Sequence, residues 1–216
     1  MKNAWPWVTL TLLGAYHGLN PGMGWLFALS LGLQERSRRA VLSALLPIAF
    51  GHAAAISLTI LGVRLLQGFF SQRILQIIVA ATLLTLGFFR MFRAHHPSGG
   101  GMRVGFRDLF FWSFLMATAH GAGLMLAPIL LAPPMPGMSH SLRSSGSSVA
   151  GLGREVLGLA VVVHTLGLLL VAGTLSLAAY QSYETSGLRL LQRAWFNFDL
   201  LWAVALLVAG VAALWI

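Results

Sequence analysis

Six long apolar runs dominate the chain and constrain what it can fold into. Hydrophobic residues make up 57% of the chain and charged residues only 9%. About 20 consecutive apolar residues are enough to cross a bilayer as a helix. The runs therefore predict an all-α integral membrane protein with six transmembrane helices. They cover roughly residues 5–33, 40–66, 74–92, 109–132, 156–180 and 194–216.

The connections divide these runs into two groups of three. The third connection holds a His-His pair, a proline and three consecutive glycines, a composition typical of a flexible linker. We assign residues 1–96 to a first three-helix unit, 97–108 to a Gly-rich linker and 109–216 to a second three-helix unit. The fourth connection, near 133–153, is rich in Pro, Ser, Gly and Met, and we expect it to be disordered.

Basic residues between the runs predict the orientation of the chain. Connections one, three and five hold nine Lys or Arg residues, whereas the opposite side holds five. Basic residues concentrate on the cytoplasmic side of membrane proteins. We therefore expect a bacterial inner-membrane protein with both termini outside the cytoplasm. The net charge of +9 is explained by topology and by contact with anionic lipid, so it predicts no nucleic-acid binding.

A polar, helix-breaking segment interrupts the first apolar run near its middle. It reads Tyr16-His17-Gly18-Leu19-Asn20-Pro21-Gly22. Pro21 has no backbone donor and disfavours helix at Asn20, so we expect the helix to break or kink there. Backbone groups freed at mid-membrane depth must be buried in protein or face a watery cavity. Such breaks form substrate sites in many transporters; a kink that only shapes packing is the alternative.

Short matches between the two three-helix units predict an internal repeat. Because each unit has an odd number of spans, the two copies would face opposite ways in the membrane. We therefore expect two inverted three-helix repeats, an arrangement that implies alternating access to a site at their pseudo-twofold axis. The matches, in the same order, pair His17-Gly18 with His120-Gly121, Arg39-Ala40-Val41-Leu42 with Arg154-Glu155-Val156-Leu157, and Arg73-Ile74-Leu75-Gln76 with Arg189-Leu190-Leu191-Gln192.

Histidines at mid-span are the strongest candidates for chemistry. His17, His52, His120 and His164 lie one each on spans one, two, four and five. Ionisable residues at this depth are unfavourable and usually face the bundle interior. Imidazole is a common ligand for Cu, Zn, Ni and Co. We expect the four histidines, with Asn20 one turn after His17, to form one ion-binding site; separate structural hydrogen bonds are the alternative.

Other residues add weaker indications. Met23, Met116 and Met125 lie near the same level and would suit Cu(I), although methionines in apolar helices mostly serve packing. Asp199, in the sixth run, is a candidate for proton coupling or for pairing with Arg193. The glycines of span one are interpreted as a packing stripe. The chain has no cysteine, which excludes disulfides, thiolate metal sites and dithiol electron relays.

The first half of the chain resembles the lysine-exporter (LysE) superfamily of small six-span permeases. The resemblance lies in Asn20-Pro21-Gly22-Met23-Gly24, in the Leu31-Gly32 exit of span one, and in the Gly/Ala-rich stretch from Ala44 to His52, and it covers about the first 65 residues. Met23 stands where members of that family typically have a second proline. The superfamily includes amino-acid exporters, nickel/cobalt and cadmium exporters, and thiol-disulfide carriers, of which the missing cysteines exclude the last.

Three hypotheses about function compete on these observations. The leading hypothesis is a secondary transporter, not an enzyme, that exports a small cation through the histidine site. A transition-metal ion is its first substrate class, and an amino acid or small organic cation is the second. The alternative is a membrane oxidoreductase subunit whose histidines hold copper or, less favoured, haem. The third possibility is a small accessory subunit whose histidines only pack against partner membrane subunits. A homodimer is the other assembly considered.

Overall fold

A computed structural model describes residues 5–92, 105–131, 154–186 and 198–215 of the chain. Most of the expected linker and the expected disordered loop lie outside these ranges. Within them all regular structure is helical, which confirms the prediction of an all-α protein for this part of the chain. The elements are α1 (Trp5–Leu19), a 3-10 turn (Pro21–Met23), α2 (Trp25–Glu35), α3 (Arg38–Leu66), α4 (Gln72–Phe92), α5 (Phe106–Ala119), α6 (Ala122–Leu131), α7 (Arg154–Ser186) and α8 (Phe198–Trp215).

The described helices have the length and surface of membrane-associated helices. Three of them contain stretches long and apolar enough to cross a bilayer, namely Arg38–Leu66, Gln72–Phe89 and Val156–Thr185. The outward face of α3 exposes Leu42, Leu46 and Phe50, one every fourth residue, with 50–62% of each accessible. Proteins that are monomeric in water rarely expose such stripes. The protein therefore associates with a membrane.

The first apolar run is broken where the sequence predicts. Helix α1 ends at Leu19, and Asn20 adopts an extended conformation before the 3-10 turn. Gly24 precedes α2 with φ +119°, a backbone conformation that residues other than glycine rarely adopt. The break keeps its backbone polar groups paired, since the Met23 N–H donates to the Asn20 carbonyl at 3.0 Å. This pairing makes the break tolerable inside an apolar environment.

The fourth apolar run is also broken, which the sequence analysis did not predict. Helix α5 ends at Ala119, His120 caps it, and Gly121 at φ +67° allows the chain to turn before α6 begins. Helix α5 begins at Phe106, three residues before the start expected for this run. Its early start follows from Asp108, whose carboxylate accepts the Gly105 N–H at 2.9 Å and caps the first turn.

Two central helix pairs run parallel. Along α1, Leu10 and then Gly18 lie against His164 and then Leu168 of α7, so residue numbers rise together on both helices. Helices α3 and α5 are also parallel. The Ser113 hydroxyl donates to the Ile48 carbonyl at 2.7 Å, and further along the same direction Gly123 of α6 lies against Thr59 of α3.

Two other helix pairs run antiparallel. Helices α3 and α7 contact through Arg38 and Glu184 at one level and through Leu45 and Gly173 at another, so residue numbers rise in opposite directions. Helices α4 and α8 behave in the same way. Arg73, near the start of α4, donates to the Leu214 carbonyl, near the end of α8, at 3.1 Å.

Candidate functional site

Three buried imidazole rings meet in the interior of the helix bundle. The ring centroid of His17 lies 5.4 Å from that of His52 and 5.0 Å from that of His164, and the His52 and His164 centroids are 5.4 Å apart. All three side chains are 0% exposed. We call these three residues the histidine cluster. It joins α1, α3 and α7, so residues far apart in sequence form one polar centre.

Small residues allow the helices to bring these rings together. A Cβ built on Gly14 would collide with the His164 carbonyl, and one on Gly18 would collide with the Leu168 carbonyl. On the opposing helix, a Cβ on Gly167 would lie 2.5 Å from the Thr11 carbonyl oxygen. Helices α1 and α7 therefore approach to backbone contact, which is the packing that the sequence analysis inferred for the glycines of span one.

Backbone carbonyls fix the orientation of two cluster rings. His17 Nδ1–H donates to the Leu13 carbonyl at 2.7 Å, and His164 Nδ1–H donates to the Leu10 carbonyl at 3.1 Å. A carbonyl only accepts, so in a neutral imidazole with this bond the proton sits on Nδ1 and the lone pair on Nε2. Metal-binding histidines are commonly oriented in this way through their second nitrogen.

The cluster also contains buried nitrogens that lack partners. Among the described residues, both ring nitrogens of His52 lack a hydrogen-bond partner, and so does the Nε2 of His164. Leaving a buried polar atom unpaired costs about 1–3 kcal/mol. Such atoms are rare in folded proteins and require an explanation, of which an unseen ion or ligand is one.

His120 lies beside the cluster, at the second helix break. Its side chain is 4% exposed, and its Nδ1–H donates to the Met116 carbonyl at 2.7 Å. It is close enough to His17 for an electrostatic interaction. All four mid-span histidines are therefore buried, and their common role in one ion-binding site stays a prediction. The ring contacts described here join His17, His52 and His164, with His120 at their side.

Asn20 has a structural role that is visible in the geometry. It is 7% exposed, and its side-chain oxygen accepts the Gly22 N–H at 2.8 Å, which caps the 3-10 turn. The indole of Trp112 donates to the Gly22 carbonyl at 3.1 Å and ties α5 to the same break. Sequence reasoning did not assign Trp112 this function, because its partner is 90 residues away in the chain.

The other predicted site residues are placed less centrally. Met23 and Met125 are buried in an apolar cluster, with Met116 packed against it, as expected of packing residues. Asp199 is the second residue of α8, and its side chain lies outside the described part of the molecule. Proton coupling through Asp199 stays a prediction.

The distances between the ring centroids are compatible with three imidazoles around one small ion. Three imidazoles around one tetrahedral metal, each nitrogen about 2 Å from the ion, place their ring centroids roughly 5 Å apart. Among the described residues, however, no group of three or more His, Cys, Asp or Glu side chains is arranged to hold a metal ion.

Comparison with known proteins gives no assignment. The chain matches no protein-family model, no curated protein and no solved structure.

Proposed function

We propose that the chain is a membrane transporter that moves a small cation through the histidine cluster. The observation that carries this proposal is the meeting of three fully buried imidazoles in the bundle interior, beside a broken helix. Their helices come from both halves of the chain. Along α3, His52 lies 14 residues after Arg38 and 12 before Arg64. At about 1.5 Å per residue, it is near mid-depth of a bilayer.

Six spans are the membrane arrangement that we propose. Helices α1 and α2 together would form one crossing, and α5 and α6 together another, each interrupted near its middle. The shorter apolar stretch of α8, Ala203–Leu214, would complete the sixth. The parallel α1–α7 and α3–α5 pairs and the antiparallel α3–α7 and α4–α8 pairs are the directions expected when six spans alternate.

The helix lengths support two repeats. In the first half, helices of 15 and 11 residues flank a break and are followed by helices of 29 and 21 residues. In the second half, helices of 14 and 10 residues flank a break and are followed by helices of 33 and 18 residues. Each break follows a histidine of the predicted set. This agreement extends the short sequence matches along most of both halves.

The helix contacts support an inverted relation between the repeats. Helix α1 packs on α7, and its counterpart α5 packs on α3, the counterpart of α7. Since α3 and α7 are antiparallel, corresponding helices of the two halves point in opposite directions. An inverted repeat with a site at its interface is a common design of secondary transporters.

The orientation proposed is the bacterial inner membrane with both termini outside the cytoplasm. The Arg38–Glu184 contact joins connections one and five at the same end of the bundle. The Arg73–Leu214 contact joins connection two to the C-terminal end of the chain. Both contacts are expected if the odd-numbered connections lie on one side of the membrane and the even-numbered connection and the termini on the other. The excess of basic residues in the odd-numbered connections assigns their side to the cytoplasm.

The proposed substrate is a transition-metal ion, with an amino acid or small organic cation as the second class. Imidazole nitrogens with Nδ1 held by a carbonyl are suitable ligands for Cu, Zn, Ni or Co. An amino acid would also need groups that neutralise its charged ends, and the cluster offers only imidazoles. The resemblance of about the first 65 residues to the LysE superfamily is compatible with both substrate classes.

A haem-bearing or copper-bearing subunit is the competing function. Rings in mutual contact at 5.0–5.4 Å leave no slot for a porphyrin between them, which disfavours haem. A permanently bound copper ion would use the same ligands as a transported one. Elemental analysis and an absorption spectrum of detergent-purified protein separate these cases, because a resident cofactor copurifies in stoichiometric amount.

Transport by reconstituted protein tests the proposal. We expect proteoliposomes to take up Zn, Ni, Co or Cu ions, detected by an ion-sensitive dye. His17→Ala and His52→Ala should each lower the uptake rate at least tenfold. Leu166→Ala is the matched control, because Leu166 is 58% exposed on the outer face of α7. Equal rates in wild type and both histidine variants would overturn the proposed site.

A further inference from the structure

The histidine cluster is sealed from one end of the bundle by a continuous packed stripe. On α7, every fourth residue from His164 faces inwards until the helix reaches its exposed end: Leu168, Ala172, Ser176, Tyr180 and then Glu184. The first four of these are at most 3% exposed. On α3, Ile48, Ala44 and Val41 continue from His52 in the same direction and are also buried. These buried residues of α3 and α7 lie between the cluster and this end of the described bundle.

Helix α2 packs tightly against the stripe through Gly32. A Cβ built on Gly32 would collide with the Val41 side chain and would lie 3.3 Å from the Tyr180 ring. Ala28, one turn earlier on α2, is 0% exposed in the same apolar cluster. Helices α2, α3 and α7 therefore meet at this level, with the small residue Gly32 at the point where α2 touches Val41 and Tyr180.

An ion pair lies outside this contact, at the mouth of the bundle. Arg38 at the start of α3 and Glu184 near the end of α7 are 3.0 Å apart, with side chains 60% and 43% exposed. The same carboxylate interacts with Tyr180. Exposed ion pairs add little net stability, so this link between α3 and α7 can form and break without unfolding either helix.

We propose that the Arg38–Glu184 pair and the Gly32–Val41–Tyr180 contact form the gate on this side of the membrane. The inference rests on the proposed transport function, because a fully buried site must open to each side in turn. Helix α2 contacts both α3 and α7 at this level and must move when the two separate. It has only 11 residues and is joined to the rest of the first run through the break at Gly24. Opening separates α3 from the end of α7 and exposes the stripe down to the histidine cluster.

Thiol labelling measures the opening directly, because the chain contains no cysteine of its own. A single cysteine is introduced by Ala44→Cys, where the native side chain is 2% exposed between the gate and the cluster. A membrane-impermeant maleimide is applied to inside-out vesicles, in which the cytoplasmic side faces the reagent. We expect slow labelling in the otherwise native chain, and labelling at least tenfold faster when Arg38→Glu or Glu184→Arg is added.

Charge exchange and an exposed reporter are the controls. The double variant Arg38→Glu/Glu184→Arg restores the attraction and should return Ala44→Cys to slow labelling. A cysteine at Glu35, outside the gate, should label at the same fast rate in every background. Unchanged Ala44→Cys labelling in both single variants would overturn the gate, as would fast labelling that the double variant fails to reverse.

A crosslink gives a second test that does not depend on weakening the pair. Arg38→Cys/Glu184→Cys, joined by a short bifunctional thiol reagent, should hold the gate closed, keep Ala44 inaccessible and stop transport until the link is cleaved. Full transport in the crosslinked protein would contradict the gate. Labelling reports access and not cation movement, so the gate and the proposed substrate can fail independently of each other.

Discussion

At the scale of single residues, the histidine cluster contains unpaired buried nitrogens, which lower the stability of the fold but are suitable ligands for a metal ion. His17 and His164 each satisfy one nitrogen with a backbone carbonyl, whereas neither nitrogen of His52 has a partner among the described residues. A buried residue that lowers stability in the absence of a ligand is expected where function needs that residue. Substitution of His52 should therefore raise the stability of the metal-free protein while it weakens ion binding.

We expect His52→Leu to stabilise the metal-free protein. Leucine fills a similar volume without unpaired nitrogens, so the gain should be roughly 1–3 kcal/mol, the usual penalty of a buried unpaired polar group. His164→Leu, the matched variant, also removes the hydrogen bond that His164 Nδ1–H donates to the Leu10 carbonyl, and should not stabilise. Thermal unfolding in detergent measures both, with and without added metal ions. A lower unfolding temperature for metal-free His52→Leu than for the native protein would contradict the idea that the unpaired nitrogens of His52 lower stability.

Asn20 can be assigned either to the helix break or to the ion by two substitutions. Asn20→Ala removes the cap on Gly22 and should cost about 1 kcal/mol of unfolding free energy, whereas Asn20→Ser keeps a capping oxygen and most of the stability. If Asn20 acts through the cap, transport should follow stability in both variants. Loss of transport in a fully stable Asn20→Ser protein would instead make Asn20 a ligand.

At the scale of helices, contacts between α1 and α7 determine whether the cluster forms at all. Gly14 lies directly against the His164 carbonyl, so any larger side chain pushes the two helices apart at the level of the rings. In contrast, a Cβ built on Gly158 of α7 would have no atom of another described helix within 4 Å. The two glycines therefore play different roles although both lie in apolar helices.

We expect Gly14→Ala to destabilise the protein by about 1–3 kcal/mol, the usual effect of overpacking, and to abolish transport by displacing His164. Gly158→Ala should be neutral or stabilise by up to about 1 kcal/mol, since alanine favours helix over glycine. Unfolding and transport assays on the two variants compare them directly. Equal stability of both proteins would show that α1 and α7 are not held at this distance.

The sequence predicts local features of these helices better than their meeting points. The break at Asn20-Pro21 is predictable because proline acts on its own backbone and its neighbour. Burial of the four histidines follows from their depth in apolar runs. Which three rings meet depends on the crossing of α1, α3 and α7, which no local pattern encodes. The second break was missed because His120-Gly121 contains no proline, although Gly121 next to a polar residue was an available signal.

At the scale of the whole molecule, the proposed orientation can be read from two connections. Phe69, between α3 and α4, is 84% exposed, and Glu35, before α3, is also exposed. They lie at opposite ends of α3, so one should face each side of the membrane.

We expect an impermeant maleimide to label Phe69→Cys and not Glu35→Cys in intact cells, because connection one is assigned to the cytoplasm. Permeabilised cells should label both, which controls for reactivity. The reverse pattern in intact cells would invert the topology. Neither substitution removes a basic residue, so the charges that set orientation stay in place.

The length of α7 makes the protein sensitive to the thickness of its bilayer. With 33 residues, this helix is about 50 Å long, whereas a hydrocarbon core is about 30 Å thick. The helix must therefore lean or protrude, and the lean changes when the lipid tails change length. Since α7 carries both His164, in its membrane-embedded part, and Glu184, near its C-terminal end, the length of the surrounding acyl chains is expected to shift both residues relative to the bilayer.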